Sequence, residues 1–257
     1  MDINTNLLMT IISASFIGAA SGYLGSLLIL RRMALVGDAL SHVALPGIAI
    51  ALILNINPFI GALAFLTIAS LGIWRLEEKS EISTETLVGI FFTASLSIGI
   101  ILTEDIEILE ALFGDIAKVG MVDTLFAVFV SCLAIYIISK ISRGLLLDTI
   151  SKDLAKSAGI NTSKIDLIFL LLVGVIVALG IKVAGALLTG ALVIIPAAAA
   201  KNISSNFRDF SILSLLFGVL SAVLGIILAS ALNQHPGPVI VLSGTAIFLL
   251  TFLFRKK

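Results

Sequence analysis

Apolar residues fall along this chain in long blocks, not in alternation. Nearly unbroken apolar stretches cover 7–30, 34–54, 58–74, 86–103, 122–140, 164–181, 184–200, 210–232 and 238–254. About 20 helical residues cross a hydrocarbon core roughly 30 Å thick, and each block meets or approaches that length. Backbone N–H and C=O groups in lipid must be satisfied inside their own segment, so each block is predicted to be a helix. The pattern gives an all-α polytopic membrane protein of about nine transmembrane helices. The last turns are short enough that one re-entrant segment or one merged pair would make it eight or ten.

Composition agrees with the pattern. Hydrophobic residues make up 59% of the 257, charged residues only 12%, and the mean hydropathy is +1.20, which places the chain outside the range of soluble domains. No long linker interrupts it, so residues 1–257 read as one membrane domain. The first block is long for a signal-peptide core and follows Asp2 instead of a basic stretch, so it reads as an uncleaved span. Sixteen basic and sixteen acidic residues cancel, leaving no net field to suggest a nucleic-acid partner. Cys132 is the sole cysteine, which excludes an intrachain disulfide and a cysteine-cluster zinc site, and His42 and His235 are the only histidines.

Basic residues set the orientation, because Lys and Arg are retained on the cytoplasmic side. With the N-terminus outside, nine spans put Arg31, Arg32, Arg75, Lys79, Lys140, Arg143, Lys152, Lys156, Lys164, Lys201, Arg208 and the terminal Arg255–Lys257 inside, and only Lys118 and Lys182 outside. The C-terminus is then cytoplasmic. Two segments between spans are long. The outer one, 103–123, carries six acidic residues and reads as a solvated connecting loop with one amphipathic turn, or as a docking surface or cation-attracting vestibule. The inner one, 139–163, contains SKDLAKSAGIN, in which Leu154, Ala155, Ala158 and Ile160 recur at helical spacing and Gly159 can cap a C-terminus. Within the spans, Gly18 and Gly22 form a G-x-x-x-G, and Gly185, Ala186 and Gly190 extend the theme of close helix packing.

The chemistry concentrates at the start of the second span, in RRMALVGDALSHVALPG. Asp38 and His42 are four residues apart and share a helix face. With a rise of about 1.5 Å per residue from Arg32, Asp38 lies roughly 9 Å and His42 roughly 15 Å into the membrane. Ionisable groups at such depth are costly and usually face a protein interior or a watery path. Carboxylate and imidazole together suit zinc, manganese or ferrous iron. Pro46 lacks the N–H that would bond the His42 carbonyl, which frees an oxygen or kinks the helix beside the pair. The bland reading is that Asp38 bonds His42 or a neighbouring helix and helps assembly. Two ligands are few for a zinc site; a two-fold dimer would double them, or water would complete a weak site from which the ion can leave. His235, in the outer turn NQHPGP, is a weaker candidate ligand, and Lys182 reads as a snorkelling side chain. No G-x-x-x-x-G-K-[ST] occurs in the chain.

Several stretches carry a family resemblance: GSLLILRRMALVGDALSHVALPG, ETLVGIFFTASLSIG, ALFGDIAKV, DTISKDLAKSAGI, VAGALLTGALVIIPAAAAK and HPGPVIVLSGTAIFLL. In this order, and almost end to end, the chain resembles the ABC permeases that import zinc, manganese or iron, above all the membrane subunit of bacterial high-affinity zinc uptake systems. The resemblance implies a type II importer-like permease in a prokaryotic plasma membrane, paired with a second copy, a cytoplasmic ATPase and an extracytoplasmic metal-binding protein. It implies that Asp38 and His42 coordinate the ion in its path and that the segment of about 148–160 couples to the ATPase, with Asp153, Leu154, Ala155 and Gly159 at matching positions. The chain itself would be no enzyme and hold no permanent cofactor; zinc is the favoured cargo, with manganese or iron the other candidates, and ATP acts only through the partner. A proton-coupled secondary transporter with Asp38 and His42 as relay is the competing expectation; an intramembrane metallohydrolase lacks an H-E-x-x-H pattern.

Overall fold

The structure is a computed structural model that describes residues 3–80, 82–102 and 120–254. The acidic 103–119 portion of the outer loop lies outside the described residues, as do the last three residues. The described chain is helical throughout, in the order α1 (Ile3–Leu30), α2 (Val36–Val43), α3 (Leu45–Ile53), α4 (Pro58–Lys79), α5 (Thr84–Leu102), α6 (Met121–Ile150), α7 (Lys152–Ser157), α8 (Thr162–Ala184), α9 (Ala186–Ile203), α10 (Phe207–Leu232) and α11 (Pro236–Leu253).

Eight described spans are long and apolar enough to cross a membrane, with α2 and α3 acting together as one of them, and α9 is a ninth, shorter apolar helix. The count of about nine therefore holds, and the shortest of the late turns resolves. Gly185 alone separates α8 from α9, at φ +83° and ψ +164°. Only glycine adopts that region without strain, so these spans are two helices. α6 runs unbroken for 30 residues, continuing from the predicted span end at 140 to Ile150. At about 1.5 Å per residue it spans roughly 45 Å and outruns the hydrocarbon core.

α1 is the organising helix. Its most extensive neighbour is α10, followed by α6 and α9. The approach depends on the glycines of the sequence motif: a Cβ on Gly18 would sit 2.5 Å from the Gly218 carbonyl oxygen, and one on Gly22 would strike the Ser214 carbonyl. Lipid tails are as apolar as Leu side chains, so such small-residue contacts, with their dense dispersion, hold helices together where hydrophobic exclusion does not. The larger of two apolar clusters joins α1, α2, α4 and α8 around Leu24, Leu28, Leu40, Leu66, Phe169 and Val173, all at most 1% exposed.

The two ends of the bundle differ in charge. One end holds an open cavity of about 290 Å³ lined by Ser13, Asn57, Phe59, Asp123 and Lys182, among others. There Lys182 donates to Asp123 at 2.5 Å, a defined partner beyond the snorkelling expected of it. The other end joins Arg31 to Asp148 and Asp166 and Trp74 and Glu78 to Ser163. Of the basic residues in the described chain, only Lys182 belongs to the cavity end.

Candidate functional site

α1 ends in a tight cap. Arg32 adopts a left-handed conformation, φ +59°, its N–H bonds the Ile29 carbonyl at 3.2 Å, and the Met33 N–H bonds the Leu28 carbonyl at 2.8 Å. This is the Schellman pattern, completed by the apolar pair Leu28 and Met33, both buried. It turns the chain directly into α2.

α2 is short because two chemical constraints meet in it. The cap fixes its start, and Pro46 cannot donate to the His42 carbonyl, so the regular helix ends at Val43 and α3 begins at Leu45. Val36, Gly37, Leu40, Ser41 and Val43 turn into the bundle. Asp38 and His42 lie on the other face, both partly exposed. The structure thus places the two residues as the four-residue spacing predicts, on one face of an eight-residue helix inside a membrane span.

Two neighbouring helices wall this face. From α5, Phe92 meets the His42 ring edge-on, with centroids 5.4 Å apart and planes at 65°. From α9, Gly190 lies against Asp38 so closely that a Cβ there would sit 2.5 Å from the Asp38 Cα, Cβ and Oδ1 alike. Gly37 makes a looser contact with Val193, 3.6 Å from an added Cβ. The Ser41 hydroxyl donates to the Asp38 carbonyl at 2.7 Å and so does not occupy the carboxylate. His42 Nδ1 is buried and has no hydrogen-bond partner. An unpaired buried imidazole nitrogen costs about 1–3 kcal/mol unless something else satisfies it, and a metal ion is a natural candidate for a ring nitrogen.

Within a single chain this face offers two candidate donors, Asp38 and His42. Among the described residues no three His, Cys, Asp or Glu side chains lie close enough to hold one ion, so His235 does not join the pair. His235 is exposed at the start of α11, where it occupies the N-cap position. Sequence reasoning missed the two walls of the site. Gly190 carried a signal, a glycine in a small-residue run, but that run implied helix packing and not contact with a carboxylate. Phe92 carried none.

The segment 148–160 forms a second distinctive feature. α7 is a single short helix with Ser151 as N-cap, its hydroxyl accepting the Leu154 N–H at 3.3 Å. Gly159, at φ +75°, ends it, with Gly159 N–H to the Lys156 carbonyl at 2.9 Å and Ile160 N–H to Ala155 at 3.0 Å. The predicted C-cap is thus realised. The apolar positions do not share one buried face, however: Ala155 is fully buried, whereas Leu154 is 56% exposed and Ala158 is exposed too. Lys152, Asp153 and Lys156 are exposed around Leu154, beside Ile150 at 75%. Asp148 lies within α6 and is buried.

Comparison with known proteins gives a consistent result. The ABC 3 transport family profile matches residues 4–255. The manganese transport system membrane protein MntC of Listeria monocytogenes is 32% identical over 251 residues, which span 96% of this chain and 90% of that protein. The high-affinity zinc uptake system membrane protein ZnuB of Haemophilus influenzae is 30% identical over 239 residues, covering 91% and 92%. Among solved structures, PsaBC from Streptococcus pneumoniae in complex with Fab superposes with a TM-score of 0.83 at 31% identity, over 96% of this chain and 91% of that one.

Proposed function

This chain belongs to the ABC 3 transport family, and we propose that it is the membrane-spanning permease of an ATP-driven importer of divalent metal ions, with Asp38 and His42 as ligands of the ion in transit. One observation supports the ligand assignment above the others: His42 presents a buried, unpartnered Nδ1 on the same helix face as the Asp38 carboxylate, which packs against Gly190.

The donor set is one carboxylate and one imidazole per chain. Zinc and manganese both accept that set, and relatives named for each metal match this chain at similar identity. A second copy across a two-fold axis would bring two oxygen and two nitrogen ligands to one ion, the number a tetrahedral zinc prefers; manganese would add water. A site completed by water binds weakly enough to release its ion, as conduction requires. The partly exposed ligand face is where such a copy, or a water-filled path, would lie.

The sequence holds no phosphate-binding loop, so ATP hydrolysis belongs to a partner subunit, and a separate binding protein delivers the ion on the outer side. The exposed Leu154, Asp153 and Lys152 of α7, set on the buried Ala155 and ended by Gly159, form the surface on which the ATPase docks. The basic end of the bundle, which carries α7, is the cytoplasmic side by the retention of Lys and Arg; the N-terminus is then outside and the C-terminus inside. Docked ATPases closing on ATP would press on α7 and rock the helices, so that the site opens to one side and then the other.

The test is uptake of manganese and zinc into vesicles that hold the permease with its ATPase and binding protein. Asp38→Ala and His42→Ala should each abolish uptake while the complex still forms. Native uptake in both variants would remove the pair from the path.

A further inference from the structure

At the basic end of the bundle a partly buried arginine, Arg31, reaches two carboxylates that flank α7. Arg31 Nη2 donates to Asp148 Oδ2 at 2.8 Å, and Nη1 lies 2.7 Å from Asp166 Oδ1, an ion pair without hydrogen-bond alignment. The Asp148 and Asp166 side chains are 3% and 11% exposed and that of Arg31 is 13%. The guanidinium also faces the Phe169 ring, 5.5 Å from its centroid. One positive charge thus meets two negative ones, and Asp148 Oδ1 is buried without a partner.

Stability alone is a poor reason for such a cluster. Buried ion pairs lose about as much in desolvation as they gain in attraction, and apolar replacements of similar size are often as stable. Position supplies a better reason. Asp148 is near the end of α6, three residues before the N-cap of α7, and Asp166 is in the first turns of α8 beyond it. Both arms of the hairpin that presents α7 are therefore held by one side chain. Arg31 itself directly precedes the Arg32 cap that aims α2, and Asp38 follows seven residues later. α8 is further tied to α4, where Trp74 Nε1 donates to the Ser163 carbonyl at 3.1 Å.

We propose that Arg31 is a positioning residue that links the ATPase-docking segment to the metal-bearing helix, so that displacement of the α6–α7–α8 hairpin is transmitted through the fork of its guanidinium to Asp38 and His42. This rests on the reading of α7 and of the Asp38–His42 pair given above. The fork matters: two nitrogens of one rigid plane reach two carboxylates, which an ammonium, a single point charge, cannot reproduce.

The experiment measures manganese ions imported per ATP hydrolysed, by the permease reconstituted with its ATPase and binding protein. The variants are Arg31→Lys, which keeps the charge, and the triple replacement Arg31→Met, Asp148→Leu, Asp166→Leu, which keeps volume and removes every charge. Both should still bind manganese as purified permease and still co-purify with the ATPase, whereas ions moved per ATP fall roughly tenfold, the upper part of the range seen for coupling networks. A native ratio in either folded variant, including uptake and hydrolysis lowered together, overturns the proposal. Failure of both variants to fold also overturns it, because the cluster is then a folding element. A native complex that hydrolyses ATP but imports neither manganese nor zinc would instead refute the function proposed above.

Discussion

Gly190→Ala is the most demanding perturbation this structure offers, because it tests the proposed metal site without touching either proposed ligand. The added Cβ would lie 2.5 Å from the Asp38 Cα, Cβ and Oδ1, against an ordinary contact of 3.4 Å or more. Relief therefore requires about 0.9 Å of movement, the difference of those two distances. A side-chain rotation can move Oδ1 but not Cα or Cβ, so α2 must shift away from α9. Overpacking of this kind typically costs about 1–3 kcal/mol, and displacement of a reacting group by about 1 Å can lower rates by up to about 100-fold. We expect Gly190→Ala to assemble, melt a few degrees lower, and import manganese or zinc at least about tenfold more slowly. Gly89→Ala on α5 is the control. A Cβ there meets nothing within 4 Å, and helix propensity favours it by about 1 kcal/mol, so uptake should be native. Uptake by Gly190→Ala equal to that of the control would refute the claim that the α2–α9 approach fixes the site.

Three further outcomes follow from the same geometry. Leu154→Asp places a charge on the exposed crest of α7 and should abolish co-purification with the ATPase while leaving the permease as stable as native; retained binding would move the docking surface elsewhere. Arg32→Gly relieves a left-handed non-glycine residue at φ +59° and should raise stability by about 1 kcal/mol, read as a higher melting temperature in detergent. Lys182→Met breaks the pair with Asp123, whose side chains are 33% and 38% exposed. The loss should stay below about 1 kcal/mol and shrink further in high salt, and a larger, salt-independent loss would show that the cavity end is better shielded than its exposure implies.

Much of this molecule is legible from its sequence because its solvent is lipid. A segment in hydrocarbon must satisfy its own backbone, so length and composition alone determine that helices exist and roughly where. The charge sorting read from the sequence also corresponds to a real division of the bundle, with Lys182 at the cavity end and Arg31, Arg75, Lys152 and Lys164 on or beside elements of the other. The Asp38–His42 spacing needed only helical periodicity to place both groups on one face, and Gly159 only its φ to end α7. Helix ends were less legible. Residues 141–150 fell outside the predicted span because Lys140, Arg143 and Asp148 are poor company for lipid, yet helical hydrogen bonding continues unhindered once a helix has left the membrane.

Contacts between distant segments were decided only by tertiary structure. Arg31 meets Asp148 across 117 positions of sequence, and no periodicity within either helix encodes that meeting. The same holds for Gly190 against Asp38 and Phe92 against His42. A pattern of apolar and polar positions determines which face of a helix turns inward, since that is a one-body preference for an environment; which neighbour it then meets is a many-body outcome of packing, fixed when all the helices are in place.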